Sequence, residues 1–325
     1  RLAELRFPSI RVQIARTRLA FIHLDNLLHF AKIDRDGRVD GFVVAYLPNQ
    51  VTVLFLRTGE LVTAASYTEV GRMVQPIATA LDLMRQERER GELCYCDAPH
   101  EQLAWMYQSL AAPAVTRELD VRRPESIFPT LQQEKFDGIL ELISDGRVNY
   151  LRFENGAFRD GHFCDRADGT PVPRHIESLF APHEDGTRPQ LAAAVFPGGS
   201  ELPSQAPPEL VQTYRDLFWG IVNVAERESG TDATKHAIKF RDLLRNVHGP
   251  LDAIGRPRDR DPIAIVSTPE ELTYALSDWA LQFLEQVEIV APGVAPAVLK
   301  EATKEQRFLL QRAGFYERMP WTVHW

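Results

Sequence analysis

The stretch Gly41-Phe42-Val43-Val44-Ala45-Tyr46-Leu47-Pro48-Asn49-Gln50-Val51-Thr52-Val53-Leu54-Phe55-Leu56-Arg57-Thr58-Gly59 reads as two strands and two turns in series. β-branched and aromatic residues fill both runs, and Pro48-Asn49 and Thr58-Gly59 are turn formers. A third strand near Glu60 to Ala65 completes a small antiparallel meander. The same grammar returns later: Gly138 to Ile143, the turn Ser144-Asp145-Gly146, Val148 to Phe153, the turn Asn155-Gly156, then Ala157 to Phe163. Gly41 and Gly138, like Gly59 and Gly156, lie 97 residues apart, and an Asp, Asp40 or Asp137, precedes each first glycine. A duplicated module is the economical reading.

Each meander follows a helical signal. In the first copy Leu24, Leu27, Leu28 and Ala31 recur at helical spacing; in the second Ile127, Phe128 and Leu131 do so. Beyond the first meander, Met73, Ile77, Ala80, Leu81 and Met84 predict a helix to about Arg90, ended by Gly91, with a strand Glu92 to Cys96 after it. The second copy degenerates here: its helix shortens to roughly Pro173 to Phe180 between polar loops, ahead of an apolar run from Gln190 to Phe196. Small sheets leave an apolar face or an edge to cover, so the two modules are expected to pair within the chain.

Pro197-Gly198-Gly199-Ser200 through Pro207-Pro208 breaks the composition and reads as a linker. Four amphipathic helices follow. Leu210, Tyr214, Leu217, Phe218, Ile221 and Ala225 line the first, and Phe240, Leu243, Leu244 and Val247 line a second stopped by His248-Gly249-Pro250. The third starts on a capping box, Thr268-Pro269-Glu270-Glu271, ahead of Leu272, Leu276, Trp279, Phe283 and Val287. The fourth runs from about Ala295 through Val298, Ala302 and Leu309 to Gly314. The expected fold is therefore α+β: residues 1–115 and 116–200 as two helix-plus-antiparallel-meander modules, and residues 201–325 as a four-helix-bundle-like all-α domain with an aromatic tail.

Composition narrows function by exclusion. The 325 residues are 44% hydrophobic and 25% charged, ordinary globular material. A net charge of −8, with bases interleaved among acids as in Arg85-Gln86-Glu87-Arg88-Glu89-Arg90, offers no basic stripe for nucleic acid or anionic lipid. No run approaches the roughly 18 apolar residues of a membrane helix and no secretory signal is seen, so a cytoplasmic location without membrane insertion is expected. The sequence opens at Arg1 rather than Met, which leaves room for an upstream segment. The odd cysteine count, Cys94, Cys96 and Cys164, argues for reduced buried thiols rather than a disulfide framework.

Candidate chemistry is sparse. Cys94, Cys96 and His100, with His162 and Cys164 of the other copy, are metal-ligand types, but C-x-C in an alternating strand aims two small hydrophobes to one side and lacks the C-x2-C knuckle spacing. Asp34-Arg35-Asp36-Gly37-Arg38-Val39-Asp40-Gly41 resembles a calcium loop only in composition: with Gly37 at position six, Val43 falls at position twelve, and with Gly41 there, Leu47 does, where a Glu is required. His100-Glu101 begins like a zincin helix, yet Ala104 stands where the second His belongs. Nucleophile-elbow, P-loop and dinucleotide-binding glycine patterns are absent. Trp105, Trp219 and Trp279 sit at core-like positions, Trp321 and Trp325 in a tail expected to pack back on the chain, and Gly255 to Pro262 in a mixed-charge connection. No catalytic, cofactor-binding or metal-binding residue is assigned, and no cofactor is expected.

Phe136-Asp137-Gly138-Ile139-Leu140-Glu141-Leu142 followed by Val148 to Phe158, with Gly41 to Leu47, Val51 to Gly59 and Gly91 to Tyr95 in the first copy, resembles the PATAN-type family of α+β modules in bacterial signalling proteins. Thr58 departs from the acidic or Asn residue expected before the second glycine, and the second copy's helix is altered. The resemblance covers about the first 200 residues and implies no catalytic residues. It implies protein interaction in bacterial regulation, such as motility, pilus or phosphorelay systems. The leading expectation is a non-enzymatic adaptor or scaffold whose partners are other proteins, within a larger assembly. The alternative is a small-ligand sensor whose modules enclose a pocket and signal through the helical domain.

Overall fold

A computed structural model describes residues 2–33, 39–111, 117–197, 201–230, 232–256 and 265–324. The chain divides into two compact units, one formed by Arg1–Gln75 and Ala80–Pro203 and the other by Pro76–Thr79 and Ser204–Trp325. It is a mixed α/β protein with two antiparallel sheets, both in the first unit.

The first sheet is built from β1 (Arg11–Arg18), then, after α1 (Leu24–Ile33), β2 (Gly41–Leu47), β3 (Gln50–Arg57), β4 (Glu60–Thr68) and β5 (Gly71–Gln75). After α2 (Ile77–Gln86), β6 (Glu92–Asp97) inserts between β1 and β2, giving the order β1-β6-β2-β3-β4-β5. Helix α3 (His100–Ala111) leads on to β7 (Arg117–Glu118), α4 (Ile127–Gln133), β8 (Gly138–Ser144), β9 (Arg147–Glu154), β10 (Ala157–His162), α5 (Val172–Phe180) and β11 (Leu191–Pro197). The second sheet has the order β10-β9-β8-β11-β7. Each sheet thus runs edge strand, returning strand and three-strand meander, and β5 is an addition to the first.

Local chemistry explains the shared path. Thr58 and Gly59 both take positive φ (48° and 79°), as do Asn155 and Gly156 (49° and 76°), the backbone of a tight hairpin turn that follows the sheet twist. Asp40 Oδ1 accepts from Thr58 N at 2.7 Å, and Asp137 Oδ1 accepts from Asn155 N at 2.7 Å. The next amide repeats the device, Gly59 N donating to Val39 O at 3.0 Å and Gly156 N to Phe136 O at 2.9 Å. Gly41 and Gly138 lie so close to the neighbouring strand that a Cβ would strike the carbonyl oxygens of Cys96 and Phe196 respectively.

All seven residues of β2 are buried, so the strand is covered on both faces rather than half-exposed. Phe42, Val44 and Tyr46 join Val53 and Phe55, the α3 residues Leu103, Trp105, Met106 and Leu110, and Ile139, Val148 and Tyr150 of the second sheet in one core. Val43, Ala45, Leu54 and Leu56, which alternate with them, are also fully buried, and α1 packs on the sheet at β4. In the second sheet Leu140, Leu142, Leu151 and Phe153 point the other way and pack with Ile127 and Leu131 of α4 and Leu179 of α5. The two sheets therefore share an inner core and carry helices on their outer sides.

Two helix boundaries depart from the periodicity. Met73 belongs to β5 and is 51% exposed, and the helix starts at Ile77 and ends at Gln86. The cause is Pro76, which disfavours a helical residue before it and suits a helix start.

Among the described residues of 204–324 the regular elements are helices: α6 (Pro208–Ser229), α7 (Ala233–Leu244), α8 (Pro269–Val290), α9 (Ala295–Thr303) and α10 (Arg307–Arg312), with 3-10 turns at Gly249–Asp252 and Phe315–Arg318. The capping box forms, Thr268 Oγ1 accepting from Glu271 N and Glu271 Oε2 from Thr268 N, each at 3.1 Å. Trp279 stacks between Phe218 (4.0 Å) and Phe283 (5.4 Å), and its indole N–H donates to Ala237 O at 3.1 Å. On α7 the inward face is Ala233, Ala237 and Leu244, while Leu243 is exposed, as is Val247 beyond the helix end. The final helix expected from Ala295 is two helices; the buried Thr303 hydroxyl donates to Leu299 O at 2.6 Å, a local bond that competes with the helix ladder where α9 stops. Leu310 takes the core place there, and Leu309 is 40% exposed.

Candidate functional site

Few of the residues singled out in the sequence come together. Cys94 is half-buried on β6 and Cys96 buried beside it in the inner core, both as free thiols, and burial pushes the Cys164 thiol up to about 12. His100 opens α3 at the surface, 3.8 Å from Asp40. His162 packs instead on Trp105, with ring centres 4.8 Å apart, and burial lowers its pKa. Among the described residues no three His, Cys, Asp or Glu side chains converge as a metal-binding group. The Asp34–Gly37 part of the calcium-like loop, residues 257–262 of the mixed-charge connection and Trp325 lie outside the described residues. Trp321 packs, partly buried, on the core of the helical unit.

The sequence reading missed a charged seam between the sheets. Arg72 of β5 donates from Nη2 to Glu141 Oε1 at 2.6 Å and from Nη1 to Glu141 Oε2 at 3.1 Å, and Nη1 also reaches Ser109 O at 3.0 Å. Tyr67 Oη donates to Glu141 Oε2 at 3.3 Å. The Glu141 side chain is 1% exposed. Burial works against the Arg72 charge, but the Glu141 carboxylate more than offsets it and holds the guanidinium protonated; burial, then the Glu141 charge, raises Tyr67. The Glu141 carboxylate is satisfied by these donors, and the network ties one sheet to the other. The available signal was a lone acid inside the apolar run Gly138-Ile139-Leu140-Glu141-Leu142.

The open features lie elsewhere. On the outer side of the second sheet, two adjoining cavities of about 440 and 430 Å³ share Pro124, Glu125 and Phe180. Phe128 of α4 with Ile176 and Phe180 of α5 forms the apolar floor at one end, and Val121, Pro182 and Leu191 line the other. Phe128 is anchored by Phe153 at 5.5 Å, and all three floor residues pack partly buried on the sheet's core. Arg122, Glu125, Glu177 and Arg188 are exposed on the rim, and none is ion-paired among the described residues. In the first half, between the start of α1 and the end of α2, lies a 200 Å³ cleft lined by Leu19, Ile22, Leu24 and Met84 together with His23, Asp25, Arg85 and Arg88. There Arg85 Nη2 meets Asp25 Oδ1 at 2.8 Å, and Arg88 donates to Ala20 O at 3.0 Å.

In the helical unit a 770 Å³ cavity is lined by Val247, Pro250, Ile265, Glu270, Tyr274 and His248, among others. His248 Nε2 is 2.8 Å from Asp278 Oδ2, and its ring packs on Tyr274. Comparison with protein-family models, with curated proteins and with solved structures gives no match. Among the described residues no helix is long and apolar enough to cross a membrane.

Proposed function

We propose that the chain is a non-enzymatic adaptor or scaffold that binds other proteins, built from a duplicated PATAN-like module and a bundle of helices, and working in bacterial signalling, motility or assembly of a larger complex. The observation that carries the reading is the apolar groove between α4 and α5, set on an α+β unit whose two sheets share a buried apolar core. The duplication rests on the common strand path and on the paired hydrogen bonds of Asp40 and Asp137. The bundle rests on the core that α6, α7, α8, α9 and α10 share around Trp279. Exposed apolar surface rimmed by charge is what recognition of another protein requires, whereas catalysis requires convergent reactive groups. Affinity capture from native cells followed by mass spectrometry is expected to return a stoichiometric partner whose yield falls with Ile176→Asp. Recovery of the chain as a solitary monomer under every condition overturns the reading.

A ligand sensor is the second reading, favoured by the cavity beside His248, which is of small-molecule size. It sits in the helical unit rather than inside either sheet module. A metabolite that raises the melting temperature of the wild type but not of Tyr274→Ala supports it.

A further inference from the structure

The geometry points to a specific occupant for the α4/α5 groove: a short segment of a partner protein with bulky aliphatic or aromatic anchors, basic at one end and acidic at the other. This deepens the adaptor reading and rests on it. Two neighbouring cavities, each roomy enough for a bulky side chain, offer places for two apolar anchors, one over Phe128 and Ile176 and one beside Val121 and Leu191. The rim charges are partly segregated, with Glu125 shared by both cavities. Glu177 borders only the first cavity and Glu125 the junction, so Lys or Arg is complementary there; Arg122 and Arg188 border only the second, where Asp or Glu is complementary.

The first half shows what happens when such charges are satisfied internally. Asp25 and Arg85 join the two helices of its outer layer across the cleft, and the space is 200 Å³. In the second half Glu177 borders one cavity, Arg122 and Arg188 the other and Glu125 both, and none of the four has an ion-pair partner among the described residues, so an incoming segment meets these charges unpaired. Nucleic acid and anionic lipid do not suit a rim that carries two carboxylates.

The test is selection of a phage-displayed library of random short peptides on the full-length chain, followed by fluorescence anisotropy with the consensus peptide synthesised and labelled. Enriched peptides are expected to carry bulky apolar anchors between a basic and an acidic end. Glu177→Lys and Arg188→Glu, both at exposed positions, are each expected to weaken the consensus peptide about tenfold. Ile176→Asp is expected to weaken it at least about thirtyfold, as loss of a central anchor does. Unchanged circular dichroism shows that each variant is folded. Peptides without the charge pattern, or indifference to both rim variants, overturn the polarity while leaving the adaptor reading in place. Indifference to Ile176→Asp, or no enrichment, overturns the groove as the docking site. A concentration-dependent dimer abolished by Ile176→Asp makes a second copy of the chain the occupant and overturns the partner assignment. The adaptor reading itself fails by a separate result, the absence of any captured partner.

Discussion

The two halves of the α+β unit follow one strand path but end in different surfaces. The outer helices of the first half are stapled by Asp25 and Arg85 over a 200 Å³ cleft of mixed lining, while those of the second leave a larger groove floored by Phe128, Ile176 and Phe180. Turns and strand cores are held by backbone demands that few residue types satisfy, whereas the gap between two surface helices tolerates any side chains that pack. Function is thus sought where the halves differ, and stability where they agree.

The seam joining the halves supplies the largest test. Arg72→Ala leaves Glu141 buried without its cation, and a loss of about 3–5 kcal/mol is expected from urea denaturation. The double change Arg72→Met with Glu141→Leu is expected to recover most of it, since two apolar residues need no partners. Full tolerance of Arg72→Ala would break the claim that the halves are locked by this pair.

The shared turn device comes next. Asp40→Ala and Asp137→Ala each remove a charged acceptor from a turn amide, at a cost of about 1.5–3 kcal/mol for a hydrogen bond to a charged group. Near-equal shifts in denaturation midpoint sharpen the equivalence, and a severalfold difference breaks it. At the next position the halves diverge: Thr58 is β-branched at φ 48° where Asn155 is not. Thr58→Asn is expected to stabilise by about 1 kcal/mol and Asn155→Thr to destabilise by as much, because Asn visits left-handed backbone more readily.

Opening the stapled cleft with Asp25→Ala is expected to cost at most about 1 kcal/mol, because both partners are half-exposed. A larger loss in thermal denaturation would make the staple a structural element rather than a surface feature. Least visible at neutrality is the titration of the second half. Burial lowers the pKa of His162 and of His175, and neither Nε2 has a hydrogen-bond partner among the described residues. Below the ordinary imidazole value of about 6.5 the unfolded chain takes up protons that these folded sites resist, so stability is full above that pH and falls as pH drops below it. Replacing both with Gln is expected to flatten the acid limb of a stability-versus-pH series, and an unchanged limb counts against the two residues.

What could be read from the sequence was what local chemistry dictates. Asp137-Gly138 with Asn155-Gly156 and Thr268 with Glu271 declare a turn and a cap because the backbone there accepts few alternatives. Met73 misled because it stands four residues before Ile77, as a helix would place it, while Pro76 already forbade continuity. The Arg72–Glu141 pair spans 69 positions, and nothing local tells a buried acid which distant base will meet it. The groove was illegible for a similar reason. In a string, the half-exposed Phe128, Ile176 and Phe180 look the same as core residues, and only the arrangement of two distant helices leaves them uncovered.

The Asn155-Gly156 turn also sets a chemical clock. An asparagine followed by glycine is prone to cyclise, because the glycine amide nitrogen meets little steric obstruction in attacking the side-chain carbonyl, and the product reopens largely as isoaspartate. In the folded turn that nitrogen is engaged, Gly156 N donating to Phe136 O at 2.9 Å, and Thr58 in the first half has no amide to lose. Deamidation at this site is therefore gated by opening of the second hairpin, and a mass gain at Asn155 on storage measures how often that hairpin comes apart.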